Sequence, residues 1–123
     1  MTSKLYKLFL ANFFNIKGRS SRKEFICRFT MMWILGFSCM YFIELDEKYH
    51  NDLYGYTSII VGIFFIISFI QVFFVVHRRL HDLNTSGWWQ LITFIPLGQF
   101  MLIAFIFFKG TEGRNKYGEP PEY

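Results

Sequence analysis

The chain has 123 residues and a mass of 14.8 kDa, which is enough for one domain, 1–123. Hydrophobic residues make up 53% and charged residues 18%, against about 25% charged in ordinary soluble domains. These figures exclude a disordered chain and a disulfide scaffold. A soluble domain this small cannot bury so much apolar surface, so the composition indicates a membrane protein.

The net charge of +4 is distributed unevenly along the chain. Residues 1–28 carry seven cations and one anion, residues 44–56 carry four anions and one cation, and residues 77–86 carry two arginines and one aspartate. The polar tail, 109–123, has three charges of each sign. A basic balance is typical of nucleic-acid binding or of an anionic membrane surface. The long uncharged stretches between these clusters favour the membrane, and no nucleic-acid partner is predicted.

The first predicted element is an amphipathic helix over 4–17. Its polar residues recur at helical spacing and apolar residues fill the opposite face. Such a helix lies in the plane of the membrane interface. A signal peptide is the rival interpretation, and it fails because no small-residue cleavage site follows.

Two transmembrane helices are predicted next, over 25–43 and 57–76. The second is an uncharged run of 20 residues, about 30 Å as a helix, which matches the hydrocarbon thickness of a bilayer. The first is strictly uncharged only over 29–43, and it spans if Arg28 extends its charge to the headgroups.

A third transmembrane helix is predicted over 87–108, broken at Pro96 and Gly98. Trp88 and Trp89 open it, as expected for indoles at a membrane interface. The proline kinks a helix, so the segment either crosses the membrane or turns back as a hairpin. A crossing is the simpler interpretation, because broken backbone exposed to lipid is costly. The prediction is therefore an all-α membrane protein with an interfacial helix and three transmembrane helices.

Polar and small residues also occur within the spans. Glutamines at 71, 90 and 99 are expected to form hydrogen bonds across helices, and the functional alternative is the lining of a solute path. Ser58 and Gly62 form a small-xxx-small pair that allows close helix packing.

The distribution of lysine and arginine predicts a cytoplasmic N-terminus, because cytoplasmic segments carry the excess of these residues. Loop 44–56 then faces outward and loop 77–86 returns to the cytoplasm. The side of the tail stays open, because its three cations favour the cytoplasm whereas a third crossing places it outside.

Three polar motifs flank the spans: GRSSRKEF at 18–25, RRLHD with SGWW at 78–82 and 86–89, and GTEGRNKYGEPP at 110–121. In this order the chain resembles the bacterial inner-membrane family called domain of unknown function 805, which includes the YhaH-like proteins. The resemblance runs from about residue 4 to the C-terminus, and one departure is Ile26, where the family usually has Trp. It implies a multi-span inner-membrane protein and brings no established activity, substrate or cofactor.

Five cations are predicted to lie at the cytoplasmic face: Arg19, Arg22, Lys23, Arg78 and Arg79. They can hold anionic lipid headgroups, each worth about 1 kcal/mol near a charged surface, or bind a membrane-protein partner or a second copy of the chain. The alternative is that they only set the topology. The function predicted is non-enzymatic binding of anionic lipid or a membrane partner. The alternative function is an oligomeric small-solute transporter or channel subunit.

The same face is predicted to hold one polar network that joins the first two spans: Arg19, Arg22, Glu24, Arg79, His81 and Asp82. Two carboxylates cannot neutralise all its arginines, so at least one cation is left for a lipid phosphate or a partner. An Arg78–Asp82 pair is an alternative, since the two are four residues apart, and Glu24 can equally take an arginine from this loop.

His77 and His81 make an incomplete metal site, so no metal or cofactor is predicted. An enzyme built on His81, Asp82 and Cys27 lacks a recognisable nucleophile–base spacing, so no catalytic residue is predicted.

The remaining motifs are interpreted as structural. Ser86 is predicted to cap the helix that begins with Gly87, Trp88 and Trp89, by accepting from its free N–H groups. Asn115, Tyr117 and Gly118 form either a simple turn or a segment that folds back, with Tyr117 packing and Asn115 capping backbone groups.

Overall fold

A computed structural model describes residues 13–121 of the chain. Within them the structure is helical: α1 (Arg22–Tyr49), α2 (Asp52–Asp82), a 3₁₀ helix (Gly87–Phe94) and α3 (Phe100–Phe107). The β-type pairing within 13–121 is a single bridge between Asn115 and Gly118. The predicted all-helical class is therefore confirmed.

The two long helices begin and end at identifiable caps. The Ser21 hydroxyl accepts from the backbone N–H of Glu24 at 3.1 Å and starts α1. His50, with a left-handed φ of 46°, ends α1, and Asn51 caps the start of α2 directly after it. The predicted loop 44–56 is therefore mostly helical, because the helices extend beyond their uncharged parts.

Both helices are long and apolar enough to cross a membrane. Their 28 and 31 residues correspond to about 42 and 46 Å, against about 30 Å of bilayer hydrocarbon. Large apolar side chains remain exposed along them, including Phe37, Met40 and Ile59. Since few residues of either helix are buried, these faces suit a lipid environment rather than a soluble core.

Small residues allow α1 and α2 to pack closely. A methyl group on Gly62 would lie 3.5 Å from Cys39 Sγ, and that thiol contacts the carbonyl of Ser58 at 3.6 Å. The buried apolar core lies nearer the end of the pair that contains the start of α1 and the end of α2, where Phe25, Val75 and Phe105 meet.

The predicted third transmembrane helix over 87–108 is not confirmed. The 3₁₀ helix and α3 have eight residues each, about 16 and 12 Å, which is too short to span. Ile95 is extended before Pro96, as expected of a residue that precedes proline. A methyl group on Gly98 would lie 1.8 Å from the carbonyl oxygen of Ile92, so the turn requires glycine there.

The segment leaves the end of α2 and returns to it. Gly87 follows α2 after a short loop, and on the way back the N–H of Thr111 donates to the carbonyl of Asp82 at 2.9 Å. This arrangement corresponds to the hairpin alternative. The tail lies at the same end of the pair as the start of α1.

The predicted amphipathic helix, 4–17, falls largely on residues 1–12, which lie outside the described residues. Residues 13–21 are turn and irregular backbone rather than helix.

Candidate functional site

Most buried charges of the described chain lie at one end of the α1–α2 pair. This polar end is formed by residues 18–28, residues 77–82 and the tail from 109 to 118. Three separate stretches of sequence therefore meet there.

Asp82 is the centre of the first group of contacts. Its Oδ1 lies 2.8 Å from Arg19 Nη2 and 2.9 Å from Arg19 Nε, while Oδ2 accepts from Arg79 Nη1. All three side chains are at least 95% buried. Charge-assisted hydrogen bonds between side chains that are shielded from water in this way are stronger than those at an exposed surface.

The two arginines extend these contacts to backbone carbonyl groups. Arg19 donates to the carbonyls of Gly113, at 2.6 Å, and Thr111 in the tail. Arg79 donates to the carbonyls of Phe105, at 3.3 Å, and Phe108, which lie at the end of α3. The Asp82 group therefore ties the tail and α3 to α2.

Glu24, which is fully buried, is the centre of the second group. Arg78 from α2 contacts both its carboxylate oxygens, at 2.6 and 3.3 Å. Arg28, one turn along α1, lies 3.1 Å away, and the Ser20 hydroxyl donates to the same carboxylate at 2.8 Å. This group joins α1 to α2.

The cluster carries more positive than negative charge. Among the described residues, four guanidinium groups share two carboxylates, and the members are Arg19, Arg28, Arg78, Arg79, Glu24 and Asp82. The formal excess is two positive charges. Such an excess is expensive at low dielectric, so it favours an anion near this end.

His81 connects the helix end to the tail. Its Nδ1 lies 3.0 Å from the carbonyl oxygen of Gly18, and since a carbonyl can only accept, Nδ1 carries the hydrogen. The ring stacks on Tyr117 at 3.8 Å with 6° between the planes. Asn115 Nδ2 donates to the carbonyl of His81 at 2.9 Å. Residues 115–118 therefore form a turn that also folds back onto α2.

Glycines allow backbone to approach the cluster closely. A methyl group on Gly110 would lie 1.9 Å from Asp82 Oδ2, and one on Gly87 would lie 2.2 Å from His77 Nε2. The tail and the start of the 3₁₀ helix can therefore pass beside these side chains only without a Cβ atom.

The structure brings together five of the six residues proposed as a network: Arg19, Glu24, Arg79, His81 and Asp82. Arg22 is the exception, because it is exposed and forms none of the ion pairs described. It lies two residues before Glu24, which places it on another face of α1. Arg78 pairs with Glu24 rather than with Asp82.

Of the five cations proposed for lipid or partner binding, Arg22 and Lys23 are exposed, whereas Arg19, Arg78 and Arg79 are buried and contact the chain's own carboxylates.

Sequence reasoning missed Arg28, Ser20 and Gly110 as parts of the site. Arg28 was expected to reach the headgroups, yet it is buried. Its separation of four residues from Glu24 was the available signal, since such residues share a helix face. Ser20 and Gly110 carried no comparable signal, because their contacts depend on chain folding.

The prediction that the Ser86 side chain caps the next helix is wrong. Ser86 occupies the N-cap position of the 3₁₀ helix, but its side chain accepts no capping hydrogen bond. Its backbone carbonyl accepts from the N–H of Trp89 at 3.2 Å instead. Trp88 and Trp89 are exposed. Within residues 13–121, no group of three metal-binding side chains lies together.

Comparisons with known proteins agree with the motifs. A family model described as Protein of unknown function (DUF805) matches residues 13–119. The chain is 31% identical over 122 residues to inner membrane protein YhaH of Escherichia coli (strain K12), covering 95% of each chain. It is 31% identical over 123 residues to inner membrane protein YhaI of the same strain, covering 96% of this chain and 95% of the relative. No solved structure matches. The family resemblance predicted from the motifs is confirmed, and the polar end lies inside the matched region.

Proposed function

The chain belongs to the DUF805 family, and from that premise we propose that it is a non-enzymatic inner-membrane protein whose polar end binds anionic phospholipid headgroups. The single observation that carries this proposal is the charge excess of the polar end, where four buried guanidinium groups share two carboxylates. An anionic headgroup at this level would supply the missing negative charge.

The exposed cations are the groups that would contact the lipid. Lys17, Arg22 and Lys23 are all exposed beside the buried cluster. Each cation near an anionic membrane surface contributes about 1 kcal/mol of binding free energy. The buried arginines would then contribute an electrostatic field rather than direct contacts with the lipid, because they form their hydrogen bonds within the chain.

The charge of the opposite end supports an orientation. The turn between α1 and α2 lies in the stretch 44–56, in which Lys48 is the single lysine or arginine, whereas residues 17–28 and 77–86 at the polar end carry seven. By the positive-inside rule, which counts lysine and arginine, the polar end then faces the cytoplasm. Both the start of α1 and the tail would meet the inner leaflet.

The test compares dioleoylphosphatidylglycerol with dioleoylphosphatidylcholine as ligands for the detergent-solubilised full chain, measured by native mass spectrometry. We expect preferential binding of the anionic lipid, weakened by salt because exposed charges are screened. An R22Q/K23Q double variant should lose roughly tenfold or more of that preference.

The matched control is Lys48→Gln, which removes one exposed cation from the opposite end of α1 and should leave the preference unchanged. Equal binding of the two lipids by the unmodified chain would contradict the proposal, as would an unchanged preference in the double variant.

A second candidate, an oligomeric small-solute transporter or channel subunit, is favoured by the buried glutamines Gln71 and Gln90. Polar groups inside a membrane bundle tend to mark solute pathways. Solute flux in proteoliposomes that is lost in Gln90→Leu would support this candidate over simple lipid binding.

A further inference from the structure

A groove separates the α1–α2 pair from the hairpin formed by the 3₁₀ helix and α3. It has a volume of about 730 Å³ and its walls are mostly apolar, with Met32 from α1, Val72 from α2, and Thr93 and Leu102 from the hairpin. This volume lies in the range of about 300–1,000 Å³ that is typical of small-molecule sites. Other wall residues, such as Trp33, are half exposed, so the groove opens to the surrounding membrane.

One polar side chain in this wall is buried and incompletely bonded. Gln90 is 2% exposed and lines the groove. Its Nε2 lies 3.1 Å from His77 Nδ1, whereas its Oε1 accepts no hydrogen bond from the described residues. An unmade hydrogen bond in an apolar setting is costly, so this oxygen favours a ligand that carries a donor.

The depth of Gln90 indicates which part of a lipid would meet it. Its partner His77 lies five residues before the last residue of α2, about 7.5 Å along the helix axis. For a helix whose end lies at the outer edge of the headgroups, this is about the depth at which headgroups give way to hydrocarbon, since about 30 Å of a bilayer of about 40–45 Å is hydrocarbon. The hydroxyl groups of a glycerol backbone lie at this level, with the acyl chain below them.

We propose that the groove binds an uncharged acylglycerol, with the hydrocarbon chain between α2 and the hairpin and a glycerol hydroxyl donating to Gln90 Oε1. The apolar walls match the chain, and the oxygen matches the hydroxyl donor. This inference goes beyond the proposed function, because it concerns a different site, the groove, and an uncharged ligand that the cations of the polar end do not attract.

The experiment uses a chain in which Trp88 and Trp89, which do not line this groove, are replaced by Phe. Trp33 is then the single tryptophan, and it lines the groove. A monoacylglycerol with a brominated chain is titrated into the detergent-solubilised protein, and quenching of Trp33 fluorescence is followed. The same ligand with both hydroxyls converted to methyl ethers is the matched ligand control.

We expect saturable quenching, with the hydroxyl ligand binding about five- to tenfold more tightly than its ether. In Gln90→Leu this discrimination should disappear, because the acceptor is gone. Gln71→Leu removes a buried glutamine that belongs to α2 and does not line the groove, so this variant should keep the discrimination. Thr93→Phe, which fills the groove, should weaken binding of both ligands.

Non-saturable quenching by both ligands would overturn the proposal, and so would equal discrimination in the unmodified chain and in Gln90→Leu. If Gln90→Leu does not fold, unchanged binding by Thr93→Phe overturns it. Because both ligands are uncharged, these results are independent of whether the polar end prefers anionic lipid.

Discussion

Asp82 accepts from two buried guanidinium groups, those of Arg19 and Arg79. Removing a carboxylate that pairs with buried guanidinium groups leaves their positive charge uncompensated at low dielectric. The resulting loss of stability exceeds the net contribution of the ion pair itself. The same reasoning does not apply to an exposed arginine. The position of each charge, rather than its type, therefore decides its effect on stability.

Asp82→Ala is expected to destabilise the detergent-solubilised protein by about 3–5 kcal/mol, because Arg19 and Arg79 lose their carboxylate. Arg22→Ala should stay within about 0.5 kcal/mol, as surface substitutions usually do. Thermal melting followed by circular dichroism measures both variants.

Glu112→Ala provides a matched control, because it removes a carboxylate from an exposed pair, in which Lys109 Nζ lies 2.5 Å from Glu112 Oε1. The hydrogen bond from Lys109 lowers the pKa of Glu112, and its charge lowers it further, yet exposed pairs add little to stability. Equal melting of Asp82→Ala and Arg22→Ala would show that the buried charges are solvated independently.

At the scale of elements, the tail is held on α2 by a small number of polar contacts. Asn115 Nδ2 donates to the carbonyl of His81 at 2.9 Å and to Thr111 Oγ1 at 2.7 Å, and Asn115 Oδ1 accepts from the N–H of Tyr117 at 2.9 Å. The His81 carbonyl lies in the last turn of α2, where helix carbonyls lack partners within the helix, and it accepts from the backbone N–H of Asn84 at 3.0 Å as well as from Asn115. Asn115 therefore caps α2 and shapes the turn at once.

Asn115→Ala is expected to loosen the tail, since three hydrogen bonds of about 1 kcal/mol each are lost. Limited trypsin digestion should then cleave after Lys116 several-fold faster, with the products identified by mass spectrometry. The control is Glu119→Ala, whose exposed side chain pairs only loosely with Arg114, at 3.7 Å. Equal cleavage rates in the two variants would show that Asn115 does not hold the tail.

At the scale of the whole molecule, the start of α1, the end of α2 and the tail share one end. The hydrogen bond between Ser20 N–H and the Arg78 carbonyl, 3.2 Å, and that between Thr111 N–H and the Asp82 carbonyl, 2.9 Å, fix this arrangement. One membrane crossing by each of α1 and α2 would therefore place the tail and the start of α1 on the same side of the membrane.

Compartment-sensitive reporters fused at the N-terminus and after Tyr123 should therefore report the same compartment, the cytoplasm in the proposed orientation. A reporter inserted between His50 and Asn51 should report the opposite one. Periplasmic activity of the Tyr123 fusion together with cytoplasmic activity of the N-terminal fusion would indicate three crossings and contradict the arrangement.

The sequence by itself determined the features that depend on local composition. The apolar runs at 25–43, which includes Arg28, and at 57–76, which is uncharged, located α1 and α2, because crossing hydrocarbon requires about 20 predominantly apolar residues. The spacing and order of the polar motifs were enough to identify the family. Charge counts also separated a basic end from an acidic one.

The tertiary structure alone decided which charges are buried and where the third apolar segment goes. Arg22 and Arg28 are both basic residues at the start of α1, yet only Arg28 is buried, beside Glu24 and under the ring of Phe13. The segment 87–108 has enough apolar residues to span, but the Ile95–Pro96 break ends its helix, and contacts of the tail with Asp82 return it to the polar end. Contacts between residues distant in sequence produce both outcomes, and local periodicity contains no information about such contacts.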